Sequence, residues 1–262
     1  MNKLILLLCL WTSISYAEDY TFGVVPQYSV ENLNQQWNPF LKNLGYRTNN
    51  NFIFKPVASM EEFEQLINLG YYDFVYVNPF QYVRINQKEG YKAFAKVKDV
   101  VLRGILVVNN NSNIVYLSQL AGFEIAFSNK KAFAAYLVST TELHEKNIKF
   151  TPKFLGSHEK VYDAVSKGLY VAGGGVEQTL EAVPYDIKSK LSVLYTSPDY
   201  PPHAFAKHPR ISETVVADIV SAMTNMNNNK SDELFLNMMN FPSGFVPASD
   251  SDWNSIRKIN VD

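Results

Sequence analysis

The sequence predicts an α/β protein of two lobes, and three observations predict it. Short β-rich apolar runs alternate with helix-period segments, which is the pattern of strand-helix-strand units building a mainly parallel sheet covered by helices. The alternation restarts after a long apolar run at 100–108, so one αβ series follows another. The chain has 262 residues, between one large domain and two small ones. At 47% hydrophobic and 14% aromatic it can bury a sizeable core, which excludes disorder as the main state.

The elements follow in order. Residues 22–25 (Phe-Gly-Val-Val) read as a first strand stopped by Pro26. Val30, Leu33, Trp37, Phe40, Leu41 and Leu44 recur at spacings of three and four, one face of a helix over 30–44. A second strand is predicted at 52–57, a helix at 60–69 with Ser59 as N-cap and Glu62 at the capping-box position, and a third strand at 74–77. The run at 100–108, interrupted by Arg103 and Gly104, leads into the polar loop 109–113. The second series comprises a short helix at 117–120 and then strand 124–127, helix 131–146, strand 153–155, helix 159–167, strand 169–172, helix 177–183 and strand 191–195. Helical segments at 212–226 and 232–239 precede Phe-Pro-Ser-Gly-Phe-Val-Pro at 241–247. If that tail packs on the first lobe, the chain crosses between lobes twice, near 100–108 and 193–200, and a hinge results. The expected division is 1–17 as a signal peptide, 18–102 as the first part of lobe 1, 103–195 as lobe 2 and 196–262 as the return to lobe 1.

The signal peptide rests on Lys3, an apolar stretch at 4–11 shorter than the roughly 20 residues of a membrane helix, and small residues Ser15 and Ala17 at the −3 and −1 positions. Cleavage is expected after Ala17. Cys9 is the chain's one cysteine and falls inside that segment, so the exported chain has no disulfide, thiol nucleophile or thiolate metal site. Twenty-four Lys plus Arg against 25 Asp plus Glu leave no basic excess for a nucleic-acid backbone, and nucleic acid is excluded as a partner. Dinucleotide, Walker A, nucleophile-elbow and zinc-protease motifs are missing, and four scattered histidines give no metal-ligand spacing. No cofactor, metal or catalytic residue is expected, and the chain is not read as an enzyme.

The segments after strand ends carry more information. Pro26-Gln27-Tyr28, Asn78-Pro79, Ser128-Asn129-Lys130-Lys131, Gly156-Ser157-His158 and Gly173-Gly174-Gly175 each follow a predicted strand and precede a helix. Ligands in open α/β sheets bind beyond the carboxyl ends of strands. Unpaired N–H groups at helix starts, several aimed into one cleft, make an anion site without catalysis.

These residues resemble the periplasmic phosphate, phosphite and phosphonate solute-binding proteins of ABC importers. The likeness runs through Phe22-Gly23-Val24-Val25-Pro26-Gln27, Gln36-Trp37-Asn38-Pro39-Phe40-Leu41, the stretch from Tyr72 through Asn78-Pro79-Phe80 to Tyr82, Gly156-Ser157-His158-Glu159, Tyr195-Thr196-Ser197-Pro198, Tyr200-Pro201-Pro202-His203 and Gly244-Phe245-Val246-Pro247-Ala248-Ser249-Asp250. The resemblance implies a type 2 periplasmic-binding-protein fold: two α/β lobes, a hinge and an interlobe ligand cleft, in the periplasm, with no turnover. It implies a small anionic or zwitterionic ligand, an inner-membrane ABC permease as partner and a monomeric state; a membrane sensor kinase is the alternative partner, with a ligand other than phosphonate. His158 matches the family histidine that donates to an oxyanion, and Glu177 the carboxylate that pairs with an aminoalkyl group. Gln27, Tyr28, Tyr76 and Asn78 fall in cleft-facing segments, and His203 stands where many relatives carry an acid. The family's anion-holding Ser-Thr-Ser run is replaced by Ala132-Phe133-Ala134, leaving Lys130 and Lys131 to supply charge.

Overall fold

The computed structural model describes residues 18–258; the expected signal segment lies outside the described residues. Along the chain, β1 (Asp19–Val24), α1 (Val30–Thr48), β2 (Asn51–Phe54), α2 (Met60–Asn68) and β3 (Phe74–Val77) form two parallel crossovers about β1. Next come α3 (Pro79–Lys88) and β4 (Lys92–Val97), then β5 (Gly104–Asn109) and β6 (Glu124–Phe127). A π-helical turn, Phe133–Val138, continues into α4 (Ser139–Glu145), followed by β7 (Thr151–Phe154), α5 (His158–Ser166) and β8 (Ala172–Val176). The remainder is α6 (Glu177–Glu181), α7 (Tyr185–Lys188), β9 (Leu191–Thr196), β10 (Ala204–Lys207), α8 (Glu213–Met226), α9 (Glu233–Met238) and β11 (Phe245–Pro247).

The strands make two sheets, ordered β11-β4-β10-β3-β1-β2 and β7-β6-β8-β5-β9. The chain therefore leaves the first sheet between Val97 and Gly104 and returns to it between Thr196 and Ala204. At the double crossing, Leu102 and Tyr200 form an antiparallel bridge, with Leu102 N–H donating to Tyr200 O at 2.8 Å and Tyr200 N–H to Leu102 O at 3.0 Å.

Ser59 caps α2 as the sequence predicts, and Ser29, Asn78, Ser157 and Ser212 do the same for their helices, each accepting a hydrogen bond from the backbone N–H three residues on. Trp37 anchors the first core, its ring centroid 5.6 Å from Phe22, 5.0 Å from Tyr76 and 6.0 Å from Phe205. Aromatic pairs in this range add about 0.5–1.5 kcal/mol each beyond area burial.

Three expectations change. The sheets are mixed, since only four of the nine strand pairs among the described residues are parallel. A chain that crosses to the other sheet and comes back meets its neighbours head to tail, so β5 and β10 run antiparallel to both partners. Helix α3 and strands β4, β10 and β11 escape the sequence pattern, because β4 (Lys-Ala-Phe-Ala-Lys-Val) and β10 (Ala-Phe-Ala-Lys) are poor in β-branched residues. The strand predicted at 169–172 lies instead at Ala172–Val176, so Gly173, Gly174 and Gly175 are buried strand residues and not a loop opening a helix.

Both faces of β8 explain those glycines. A Cβ at Gly173 would lie 2.5 Å from Val161, one at Gly174 2.3 Å from Ala135 O and 2.4 Å from Phe127, and one at Gly175 1.9 Å from the Tyr162 hydroxyl. The predicted helix 131–146 also splits. Its first part tightens onto β5, where a Cβ at Gly104 would lie 2.1 Å from Ala134 O, and Ser139 Oγ donates to that same carbonyl at 3.1 Å. Small residues at 132, 134 and 135 permit this approach.

Because Ala135 O is backbone and cannot swing away, Gly174→Ala should cost about 1–3 kcal/mol of stability through overpacking. Urea unfolding of the purified protein measures it, and an unchanged midpoint would show that the sheet relaxes.

Candidate functional site

The carboxyl ends of the parallel strands point to the space between the sheets. β1 runs out at Val24; Val25 N–H still donates to Tyr76 O at 2.9 Å, and Pro26 then turns the chain so that Gln27 and Tyr28 enter the cleft before Ser29 caps α1. Across the cleft, Ser157 caps α5 and places His158 at its first position, while Val176 ends β8 and delivers Gln178 and Thr179 on α6. His158 N–H spans the gap to Gln27 O at 3.3 Å.

A cavity of about 60 Å³ occupies this space in the closed arrangement of the lobes. Tyr28, Trp37, Tyr76 and Phe241 give it an aromatic wall from the first sheet, Val100 and Leu102 come from the crossing segment, and Val176, Gln178 and Thr179 from the second sheet. A smaller space of about 20 Å³ adjoins it, lined among others by Asn78, Ser128, Phe133 and His158. Gln27 and His203 border both.

His203 is 6% exposed, stacks on Tyr76 with centroids 5.0 Å apart and planes 19° off parallel, and its Nε2 has no hydrogen-bond partner. Burial pulls its pKa from 6.5 to about 3, with a smaller push from His158. His158, 2% exposed, is lowered to about 4 by burial. Both rings are therefore neutral near pH 7. Thr179 Oγ1 donates to Val176 O at 2.9 Å and lies 3.0 Å from His158 Nδ1. The Tyr162 hydroxyl joins this network, donating to Val176 O at 3.0 Å and lying 2.8 Å from Thr179 Oγ1. One ring nitrogen of His158 is thus engaged by Thr179, and the other, Nε2, is not part of that bond.

Of the predicted residues, Gln27, Tyr28, Tyr76, Asn78, His158 and His203 line the two spaces. Asn78 is also committed to its helix, where its side chain accepts from Gln81 N–H at 2.8 Å. Lys130, Lys131 and Glu177 stand elsewhere. Lys130 is exposed, Lys131 pairs with Glu64 of α2, and Glu177 pairs with Arg103 at 3.2 Å on the surface. These charges gain more from each other and from water than from a dry cleft. No Lys, Arg, Asp or Glu is among the residues lining either space.

One N–H at each helix start expected to hold an anion is already taken. Asn32, Gln81 and Lys160 N–H groups donate to the caps Ser29, Asn78 and Ser157, and Lys131 N–H donates to Asn129 Oδ1 at 2.8 Å. At the position of the anion-holding run, Phe133 is buried against Phe80 of α3, stacked at 6.3 Å and 8°, and edge-on to Tyr200 at 5.1 Å. Around it, Lys131–Glu64, Asn129–Glu61 at 3.3 Å and Asn32–Glu159 join the two halves.

Sequence reasoning missed Trp37, Phe241, Gln178 and Thr179 as cavity residues. Trp37 was legible only as part of an apolar helix face. Gln178 sits one step beyond Glu177, and only the rotation of α6 decides which of the two turns inward.

A family model described as the periplasmic substrate-binding protein of phosphonate ABC transporters matches residues 22–253. No curated protein matches. Among solved structures, a binding protein component of an ABC phosphonate transporter from Pseudomonas aeruginosa superposes with a TM-score of 0.83 at 16% identity, over 92% of this chain and 85% of that one. A Prochlorococcus marinus protein in complex with methylphosphonate gives 0.83 at 19% identity over 92% and 96%. A Xanthomonas citri protein bound to ATP gives 0.71 at 15% over 92% and 94%. The fold shared with them is the two-lobed periplasmic-binding architecture.

The neutral histidines make stability depend on pH. Their folded pKa values lie below the unfolded value of about 6.5, so the unfolded chain takes up protons first. Their contribution is complete above pH 6.5, declines as pH falls through that value, and stops declining below about 4 for His158 and about 3 for His203. His203→Phe, which keeps the stack on Tyr76, should lose about 2 kcal/mol less than the wild type between pH 6.5 and 4.5. Urea unfolding at both pH values reads the difference directly.

Proposed function

The chain belongs to the periplasmic substrate-binding proteins of phosphonate ABC transporters, which capture a solute for an ABC permease, and we propose that it does so in the cavity between its sheets, without chemical turnover. In this reading residues 18–102 and 196–262 form one lobe and 103–195 the other, residues 1–17 direct export with cleavage after Ala17, and the protein is a monomer. Gln27, Tyr28, Tyr76 and His203 contact the solute from one side and Gln178 and Thr179 from the other.

The carrying observation is that this cavity draws its walls from both sheets and from the segments joining them. A solute held there touches both lobes only when they are closed, so binding shifts the population toward the closed form that a permease recognises. The contacts already joining the lobes, Lys131–Glu64, Asn129–Glu61 and the Phe80–Phe133 stack, bias the protein that way. The methylphosphonate complex of the Prochlorococcus marinus protein supports a small solute. The neutral lining and the capped helix starts direct attention to hydrogen bonding and ring contacts more than to charge.

Proteoliposomes carrying the partner permease test the reading. ATP hydrolysis should rise when the protein, preincubated with a small-molecule cell extract, is added. No stimulation, together with consumption of an extract component by the protein alone, would mark an enzyme instead. The closed bias is checked separately: Phe133→Ala removes the interlobe stack, and small-angle scattering should show a larger radius of gyration than for the wild type. An identical scattering curve would mean that the ring does not hold the lobes together.

A further inference from the structure

Two buried polar atoms at the edge of the main cavity have no partner. One is His203 Nε2; the other is Gln178 Oε1. The orientation of the Gln178 amide is fixed by the chain around it. Its Nε2 donates to Val101 O at 2.8 Å, and turning the amide over would set two carbonyl oxygens against each other. Gln178 therefore keeps an acceptor unsatisfied at the cavity.

Buried acceptors left unpaired cost about 1–3 kcal/mol each and are satisfied by a bound partner or water. An oxyanion placed here finds hydroxyl donors in Tyr28 and Tyr76 but no cationic side chain in the lining to balance its charge and no hydroxyl at 132–134. A cation meets no carboxylate. An uncharged molecule carrying an N–H or O–H satisfies Gln178, while the neutral His203 ring adapts by tautomer to a donor or an acceptor. The remaining surface, Tyr28, Trp37, Tyr76 and Phe241, suits a flat apolar body.

We propose that the solute this chain captures is an uncharged, ring-bearing molecule that donates an N–H or O–H to Gln178 Oε1 and exchanges a hydrogen bond with His203. The inference rests on the solute-capture reading and narrows it to a ligand class. Phe133 supplies the reason for the change of class: with its ring against Phe80, the oxyanion position is filled, and the larger cavity beside Trp37 becomes the binding space.

Titration calorimetry with adenine and indole, against methylphosphonate, inorganic phosphate and choline, tests this on the purified protein. At least one of the two rings should bind and quench Trp37 fluorescence, and the three ions should show no binding up to millimolar concentration. Gln178→Leu should weaken the ring at least tenfold and Gln178→Asn by less, with the unfolding midpoint of both variants near the wild-type value. Binding of phosphate, methylphosphonate or choline in place of the rings overturns the ligand class while solute capture stands. Binding of neither ring also overturns it. The proteoliposome measurement then separates the two readings, since stimulation by an extract preserves solute capture even when the ligand class is wrong. Unchanged ring affinity in Gln178→Leu removes Gln178 from the site.

Discussion

The ring of Phe133 packed between the two lobes is the contact on which the cleft depends. Burying such a ring contributes on the order of 1.5–3 kcal/mol, and its stack on Phe80 adds to that. The ring gets there because Ala132, Ala134 and Ala135 let the backbone of a π-helical turn settle on Gly104 and Gly174. Larger side chains at any of those five positions would push the turn away from β5 and β8 and take Phe133 with it. The glycine run of β8 is therefore tied to the cleft through packing, although it touches no ligand.

Charge follows from the same arrangement. A filled, dry interface between lobes disfavours unpaired ions, and the ions nearby are found in pairs at its edge, Lys131 with Glu64 and Glu177 with Arg103. What remains inside is neutral: two histidines held uncharged by burial, amide groups, hydroxyls and aromatic rings. The lobes gain cohesion from apolar contact, chiefly the Phe80–Phe133 stack.

Much of the chain was legible because its local signals agree with its fold. Serine and asparagine caps, the apolar face at Leu33, Trp37, Phe40, Leu41 and Leu44, and the β-rich runs of β1 and β3 are short-range features, and each specifies the same element in isolation and in the protein. Strands β4 and β10 were illegible because alanine and lysine carry little strand preference, and pairing with neighbours on both sides decides their conformation. Gln27, Tyr28, Tyr76, Asn78, His158 and His203 line the cavities because strand ends carry them there. Lys131 and Glu177 do not line the cavities because each turns to a partner of opposite sign far away in sequence, and Lys130 turns to water.

The sequence by itself determined the α/β class, the two lobes, the double crossing and the strand ends that border the cleft, since periodicity, caps and strand ends are properties of neighbouring residues. Only the tertiary structure decided what that region is like. Whether Gly173, Gly174 and Gly175 form a loop or a strand, whether α6 turns Gln178 or Glu177 inward, and whether a histidine is a donor or an acceptor all depend on atoms brought together from distant parts of the chain. Packing distance and desolvation settle such questions, and neither is written in any single stretch of sequence.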